Sequence, residues 1–261
     1  MNDLSNLWAD AASYERTSKK LQKQYLQTLL DRGQPSGRVL DVGCGTGNAY
    51  EMLERIGCTE YVGVDISPQM VEIAKSKATS SAFYIGDFLQ HELPEIGIFD
   101  HVICAACLHW FHPNQKSVIK KIRGLLRDGG SIHMSSALAF SFLPGENSMQ
   151  TSIINQVRER FPPIAPVESF DSRRLSTSEI PTLLDGFSIA KISFHEEKLD
   201  FSNYDDFRDW HVGSGSVVGK QFTNSDAAVA TEMYYSRLYE EYVANRYQVS
   251  YGTTLINAQK I

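Results

Sequence analysis

The run Val39-Leu40-Asp41-Val42-Gly43-Cys44-Gly45-Thr46-Gly47 constrains this chain more than any other stretch, because an apolar segment ends in a carboxylate and breaks at once into alternating glycines. The part ending at Asp41 is too short for a helix and suits a parallel strand buried on both faces. Gly43, Gly45 and Gly47 then remove every other side chain, so the backbone can turn left-handed and approach a ligand with its N–H groups facing it. The segment from Thr46 reads as a helix, which places that ligand at a helix N-terminus, a site favourable to a carboxylate or similar group. A second carboxylate ends the next apolar run, Tyr61-Val62-Gly63-Val64-Asp65, and lies 22 residues beyond the first glycine (65 − 43). That position suits two ribose hydroxyls. A dinucleotide fingerprint sets its third glycine after two intervening residues. Here that place is Asn48, and Gly47 comes one position early, which suits a smaller amino-acid group better than a pyrophosphate.

Strand, glycine loop and following acid together resemble the class I S-adenosylmethionine-dependent methyltransferases. The resemblance implies an α/β fold, a doubly wound seven-stranded and mostly parallel Rossmann-like sheet, here with an acceptor-side helical insertion. It implies S-adenosylmethionine as cofactor, held by Asp41, Gly43, Cys44 and Gly45 at the loop and by Asp65 at the ribose. Ile66 and Met70, beside the Ser67-Pro68 helix start, would pack on the adenine. At Gly86-Asp87-Phe88, Asp87 would accept from the adenine amino group and Phe88 supply a backbone donor. The residues alone leave other roles open: Met70 as a core filler and Asp87 as a helix cap. Trp8 to Glu15, with Leu21-Gln22-Lys23-Gln24, resembles the N-terminal segment of the malonyl-carrier-protein and trans-aconitate carboxyl methyltransferases. There an aromatic residue at the Tyr14 position closes over the cofactor, and Trp8 falls on the acceptor side. A staple on the outside of the domain is the alternative for both.

Cys104-Ala105-Ala106-Cys107-Leu108-His109-Trp110-Phe111-His112-Pro113 leaves the carboxyl end of a fourth strand, the edge at which open parallel sheets bind ligands. Ala105 and Ala106 leave room for the methionine part of the cofactor. His109, Trp110 and His112 would line the acceptor pocket, and the two histidines are the candidate bases, since an unperturbed imidazole titrates near about 6.5. Cys104, Cys107, His109 and His112 are all metal-ligand types, but four ligands from one short loop make poor tetrahedral geometry, and no metal is expected. Cys104 ends a strand, whereas the first cysteine of a thioredoxin-like pair opens a helix. If the acceptor is a carboxylate, Arg173, Arg174 and Arg237 are the candidate cations, and Tyr235 in the last helix is a candidate contact.

With 261 residues the chain can bury a full core without staples. Its 25 Lys and Arg against 31 Asp and Glu give a net charge of −6, which argues against a nucleic-acid substrate. Neither a basic leader nor a membrane-length apolar run is visible, so a cytoplasmic location and no membrane partner are expected. The expected organisation is a single domain overall, with a lead-in and lid at 1–37, a cofactor-binding core at 38–139, an acceptor-side insertion at 140–175, and completion of the sheet with C-terminal helices at 176–261. Three functions follow. The first is methyl transfer to a small molecule, carboxyl oxygen ahead of hydroxyl oxygen or nitrogen; the others are a nicotinamide-dependent dehydrogenase on the same sheet and a cofactor-binding scaffold without turnover.

Overall fold

The computed structural model describes residues 18–78, 82–90, 97–137, 146–164, 174–213, 218–245 and 249–261. Trp8, Tyr14 and Arg173 lie outside them, as do residues 1–17 of the expected lead-in and lid. The chain divides into two compact units, one of residues 21–139, 173–195 and 252–261, the other of 1–20, 140–172 and 196–251.

The sheet is seven-stranded, with strands β1 (Gly37–Val42), β2 (Cys58–Asp65), β3 (Ala82–Ile85), β4 (Phe99–Ala105), β5 (Leu126–Ala137), β6 (Phe187–Leu199) and β7 (Val249–Lys260) in the order β3-β2-β1-β4-β5-β7-β6. β1 pairs in parallel with both β2 and β4, and β7 runs antiparallel to β5, as the resemblance implies. Strand order reverses between β1 and β4, so the crevice for a ligand lies beyond the carboxyl ends of these two strands.

Alternation along β1 sorts its side chains onto two apolar faces. Leu40 and Val42 join Val102, Cys104, Val118, Ile119 and Ile122, the last three from α4 (Gln115–Leu125). Val39 joins Ile103 and the helices of the other face: Leu26 and Leu30 from α1 (Ser18–Gly33), Ala49 and Leu53 from α2 (Asn48–Leu53), Val71 and Ala74 from α3 (Pro68–Lys77). Asp41 shares the parity of Val39 and so is a carboxylate on a buried face.

The helix after the glycine loop ends at Leu53, and a turn then leads to Gly57 at φ 96°. Arg127-Asp128-Gly129-Gly130 falls inside β5, where the β4–β5 register shifts between Phe99 and His101. β6 runs to Leu199. Where α1 meets the sheet, Asn257 Nδ2 donates to Leu29 O at 3.1 Å and lies 2.8 Å from His133 Nδ1. His133 Nε2 in turn is 3.0 Å from His101 Nδ1. Burial and the neighbouring His101 push the His133 imidazole down to about 3, so it is neutral in the folded chain.

The second unit holds α5 (Glu146–Arg160), α7 (Tyr204–Gly213) and α8 (Ala227–Asn245), the short α6 (Ile180–Leu183) belonging to the first. Ile153, Val157, Phe207, Tyr234, Tyr235 and Leu238 form its core. Tyr235, expected near the acceptor, packs at 5.3 Å from the His211 ring and edge-on to Tyr234 at 5.1 Å. Arg237 is bound to Gln156 Oε1 on the exposed side of the same helices.

Candidate functional site

The glycine loop is held from β2. Gly43 N and Cys44 N both donate to Val64 O, at 2.8 and 3.1 Å, and Gly47 N returns to Cys44 O at 3.0 Å. Asp65 ties the loop to the end of β2: its Oδ2 accepts from Gly45 N and its Oδ1 from Ser67 N, each at 2.9 Å. With three backbone donors on about four acceptor positions, the carboxylate keeps capacity for a ligand hydroxyl.

The three glycines do different things. All sit at positive φ, 74°, 53° and 82°. A Cβ on Gly43 would lie 2.1 Å from Cys107 Sγ, and one on Gly47 3.3 Å from Ala74 Cβ, so these two allow helix and loop to close on the sheet. A Cβ on Gly45 would meet nothing within 4 Å. Gly45 therefore borders open space at the sheet's carboxyl edge. α2 is only six residues long, so its dipole adds little to this site, contrary to the helix-terminus expectation.

Two carboxylates flank the glycine loop in sequence or in space, Asp41 at its start and Asp65 through Gly45 N, and both have unusual electrostatics. Asp41 is 3% exposed, and Tyr61 Oη donates to its Oδ2 at 2.6 Å. Burial pushes Asp41 up to about 7, aided by the charge of Asp65 and opposed by the Tyr61 hydrogen bond. Burial also raises Asp65, against the backbone donors of Ser67, Gly45 and Ile66. Among the described residues, no lysine or arginine pairs with either. The lysine that reaches the loop, Lys77, donates to Thr46 O at 2.7 Å and pairs with Glu51 at 3.5 Å. Two carboxylates with no described basic partner repel a pyrophosphate and attract a cation. S-adenosylmethionine, with an ammonium and a sulfonium beside a ribose, fits that donor set.

Across the crevice, Ala106 follows β4 at φ 50°, a left-handed conformation that costs a residue with a Cβ about 1–3 kcal/mol. Its N–H is bracketed by Ser135, donating to Oγ at 2.9 Å and O at 3.0 Å. Leu108 to Phe111 then make a single 3-10 turn. His109 is buried and its ring lies 5.1 Å from that of Trp110. His112 Nδ1 is 3.3 Å from Gln115 Nε2. The two cysteines of this loop are buried, and Cys107 Sγ packs beneath Gly43. Burial and the Cys104 hydrogen bond raise the Cys107 thiol, so its thiolate is disfavoured. Among the described residues no group of three or more His, Cys, Asp or Glu is arranged to hold a metal.

On the adenine side, Met70 is buried in the first turn of α3, where its N–H donates to the Ser67 side chain at 3.4 Å, and Ile66 is partly exposed. Asp87 Oδ1 accepts from Leu89 N at 2.8 Å, the capping role its sequence context also allows, and Gly86 N donates to Asp65 O at 2.9 Å. Phe88 is buried under Lys121, whose Nζ lies 5.0 Å from the ring centre and donates to Phe88 O at 2.6 Å. Two residues escaped the sequence reading. Tyr61 meets Asp41 only through the β1–β2 register, in which Val39 lies opposite Tyr61 and Asp41 opposite Gly63. Ser135 carries no comparable signal, since its role depends on a loop from another strand.

Residues 40–134 match the family model described as a methyltransferase domain. A ubiquinone biosynthesis O-methyltransferase of Xanthomonas axonopodis pv. citri (strain 306) is 30% identical over 139 residues, 51% of this chain and 57% of that protein. The chain thus spans a little over half the length of the curated relatives it matches. Among solved structures, the YcgJ protein of Bacillus subtilis superposes with a TM-score of 0.57 at 18% identity, covering 91% of this chain and 98% of that one. Magnesium protoporphyrin IX methyltransferase of Synechocystis PCC 6803, solved with bound S-adenosylhomocysteine, superposes with a TM-score of 0.51 at 18% identity, covering 96% and 86%. The fold is that of the class I methyltransferases. The stretch that matches the methyltransferase-domain model, residues 40–134, contains the glycine loop, Asp65 and the loop after β4.

Proposed function

We propose that this protein is an S-adenosylmethionine-dependent O-methyltransferase of a small molecule, with a carboxylate as the preferred acceptor. The observation that carries the reading is the pair Asp41 and Asp65, uncompensated by any described basic side chain, beside the open space at Gly45. The same pair disfavours the dehydrogenase reading. When bound, S-adenosylmethionine supplies a methyl group activated for in-line displacement.

In this reading Asp65 holds the ribose hydroxyls, Asp41 faces the ammonium, and Gly43, Cys44 and Gly45 let the backbone approach the amino-acid part. Ile66 and Met70 flank the adenine, while Asp87, the Phe88 N–H and the turn at Gly86 read its edge. Ala105 keeps the methyl end uncrowded. Trp110, on the loop after β4, lines the acceptor side. Holding donor and acceptor in line is the main contribution, because alignment of this kind reaches effective molarities of about 10⁵–10⁸ M. A carboxylate is ionised at neutral pH and needs no base. That agrees with a loop from Cys104 to Pro113 that contains no carboxylate or lysine.

A hydroxyl acceptor is the second reading, favoured by His109 and His112 on that same loop, either of which would take the hydroxyl proton. The 57% coverage of an O-methyltransferase relative supports oxygen rather than nitrogen in both cases. The working environment in this reading is the cytoplasm, with neither nucleic acid nor membrane as partner. The test is incubation with methyl-labelled S-adenosylmethionine and separate pools of carboxylic acids, phenols and amines. Label that enters the acid pool and is released as methanol by mild base supports the carboxylate. Base-stable label in the phenol pool supports the second reading. Micromolar binding of NAD with none of S-adenosylhomocysteine overturns both.

A further inference from the structure

Tyr61 stands apart from the residues assigned above, because it is buried and yet is bonded to the carboxylate at the start of the glycine loop. It lies on β2, 4% exposed, with its ring edge-on to Tyr50 at 5.5 Å and tilted against Phe83 at 5.6 Å. Those contacts fix the ring, and the fixed ring fixes the hydroxyl 2.6 Å from Asp41 Oδ2. A phenol buried in an apolar cluster normally needs only some acceptor. Here the acceptor is the carboxylate beside the glycine loop.

We propose that Tyr61 is a positioning residue for the cationic amino-acid end of the ligand. It occupies one oxygen of Asp41, reserves Oδ1 for the ligand ammonium, and stabilises the ionised carboxylate that binding requires. This rests on the reading of the site given above. The groups that act on Asp41 are few: Tyr61 and Asp65 from β2, Cys44 from the loop and Cys107 from the segment after β4, while its register partner on β4 is the apolar Ile103. Of these, Tyr61 alone donates a hydrogen bond to the carboxylate and favours its charge. Asp65 and burial oppose that charge.

The test is calorimetric binding of S-adenosylhomocysteine to wild type, Tyr61→Phe and Asp41→Asn between pH 5.5 and 8.5, with 5′-methylthioadenosine, which lacks the amino-acid end, as the second ligand. Phenylalanine keeps the ring contacts, and a circular-dichroism melt verifies folding. Wild-type affinity for S-adenosylhomocysteine is expected to weaken as pH falls through about 7. In Tyr61→Phe the inflection rises by about one pH unit, so the loss relative to wild type is about tenfold at pH 6 and below about twofold at pH 8.5. Asp41→Asn binds weakly with a flat profile. 5′-Methylthioadenosine binds all three proteins alike at every pH. A Tyr61→Phe profile that overlays wild type, a uniform loss at all pH values, or an equal loss for 5′-methylthioadenosine overturns the inference while leaving the cofactor reading intact. Failure of wild type to bind S-adenosylhomocysteine at any pH overturns both.

Discussion

Alanine at Gly43 and alanine at Gly45 are the same chemical change two residues apart, and the structure gives them opposite consequences. Both positions have positive φ, 74° and 53°, so each alanine bears a left-handed penalty of about 1–2 kcal/mol. At Gly43 the new methyl would also sit 2.1 Å from Cys107 Sγ and 2.8 Å from Cys107 Cβ, inside van der Waals contact with a buried side chain. Overpacking of that kind costs a further ~1–3 kcal/mol. Gly43→Ala should therefore lose about 2–5 kcal/mol, a fall in Tm of about 5–15 °C for a unit of this size. At Gly45 the methyl has nothing within 4 Å, so only the backbone penalty applies and Tm should fall by about 2–6 °C. The ligand is the missing neighbour. If it lies against Gly45, the methyl occupies its place, and affinity for S-adenosylhomocysteine should drop by at least about tenfold, a loss of ~1.4 kcal/mol. The assay is calorimetric titration and a thermal melt on each variant, with Cys107→Ala added to each. Removing Sγ should restore much of the stability of Gly43→Ala and none of that of Gly45→Ala, a coupling the double-mutant cycle reads directly. Wild-type affinity in a folded Gly45→Ala would refute the placement of the ligand. Equal Tm losses in the two variants, unmoved by Cys107→Ala, would refute the packing argument.

Asp41 costs the unliganded fold stability at high pH: its folded value of about 7 exceeds the ordinary 3.8, so the penalty is absent below the lower value and complete above the higher. Asp41→Asn should thus lose up to about 4 kcal/mol less than wild type as pH rises from 4 to 8, measured by denaturant titration at each pH, while binding worsens. His133 acts at the other end. Its folded value of about 3 lies below the ordinary 6.5, so a neutral imidazole is stable above the higher value and stability is lost as pH falls toward the lower. Replacing it with glutamine should flatten the acid limb of the stability curve between pH 6.5 and 3, by up to about 5 kcal/mol; an unchanged limb would show that other groups govern it. Ser135→Ala removes one of two acceptors of the Ala106 N–H and should cost about 1 kcal/mol, whereas Ala106→Gly relieves the φ of 50° and should gain about as much, both read as Tm shifts of about 2–4 °C.

What the sequence made legible is what short segments determine by themselves. The apolar run into Asp41, the glycines after it, Asp65 and the Ser67-Pro68 helix start each act within a few residues, and all stand where they were expected; Ser67 caps α3 with Pro68 at its first turn. Boundaries were less legible, because the end of α2 and the length of β6 depend on what packs against them. The partners of the site residues were not legible. Tyr61 meets Asp41 only because β2 pairs with β1 in one register, and Ser135 meets Ala106 only because β5 lies beside β4. Asp87 shows the reverse limit: the same side chain serves as a turn cap through Oδ1 and as a candidate ligand contact through Oδ2, and no local pattern separates the two. Substrate identity is the extreme of this series. The residues expected at the acceptor, Trp110, Arg173 and Tyr235 among them, lie far apart in the chain. Those expected at the cofactor lie on β1, β2 and the turns that leave them. A sequence therefore announces the donor through contiguous residues, and leaves the acceptor to be found by experiment.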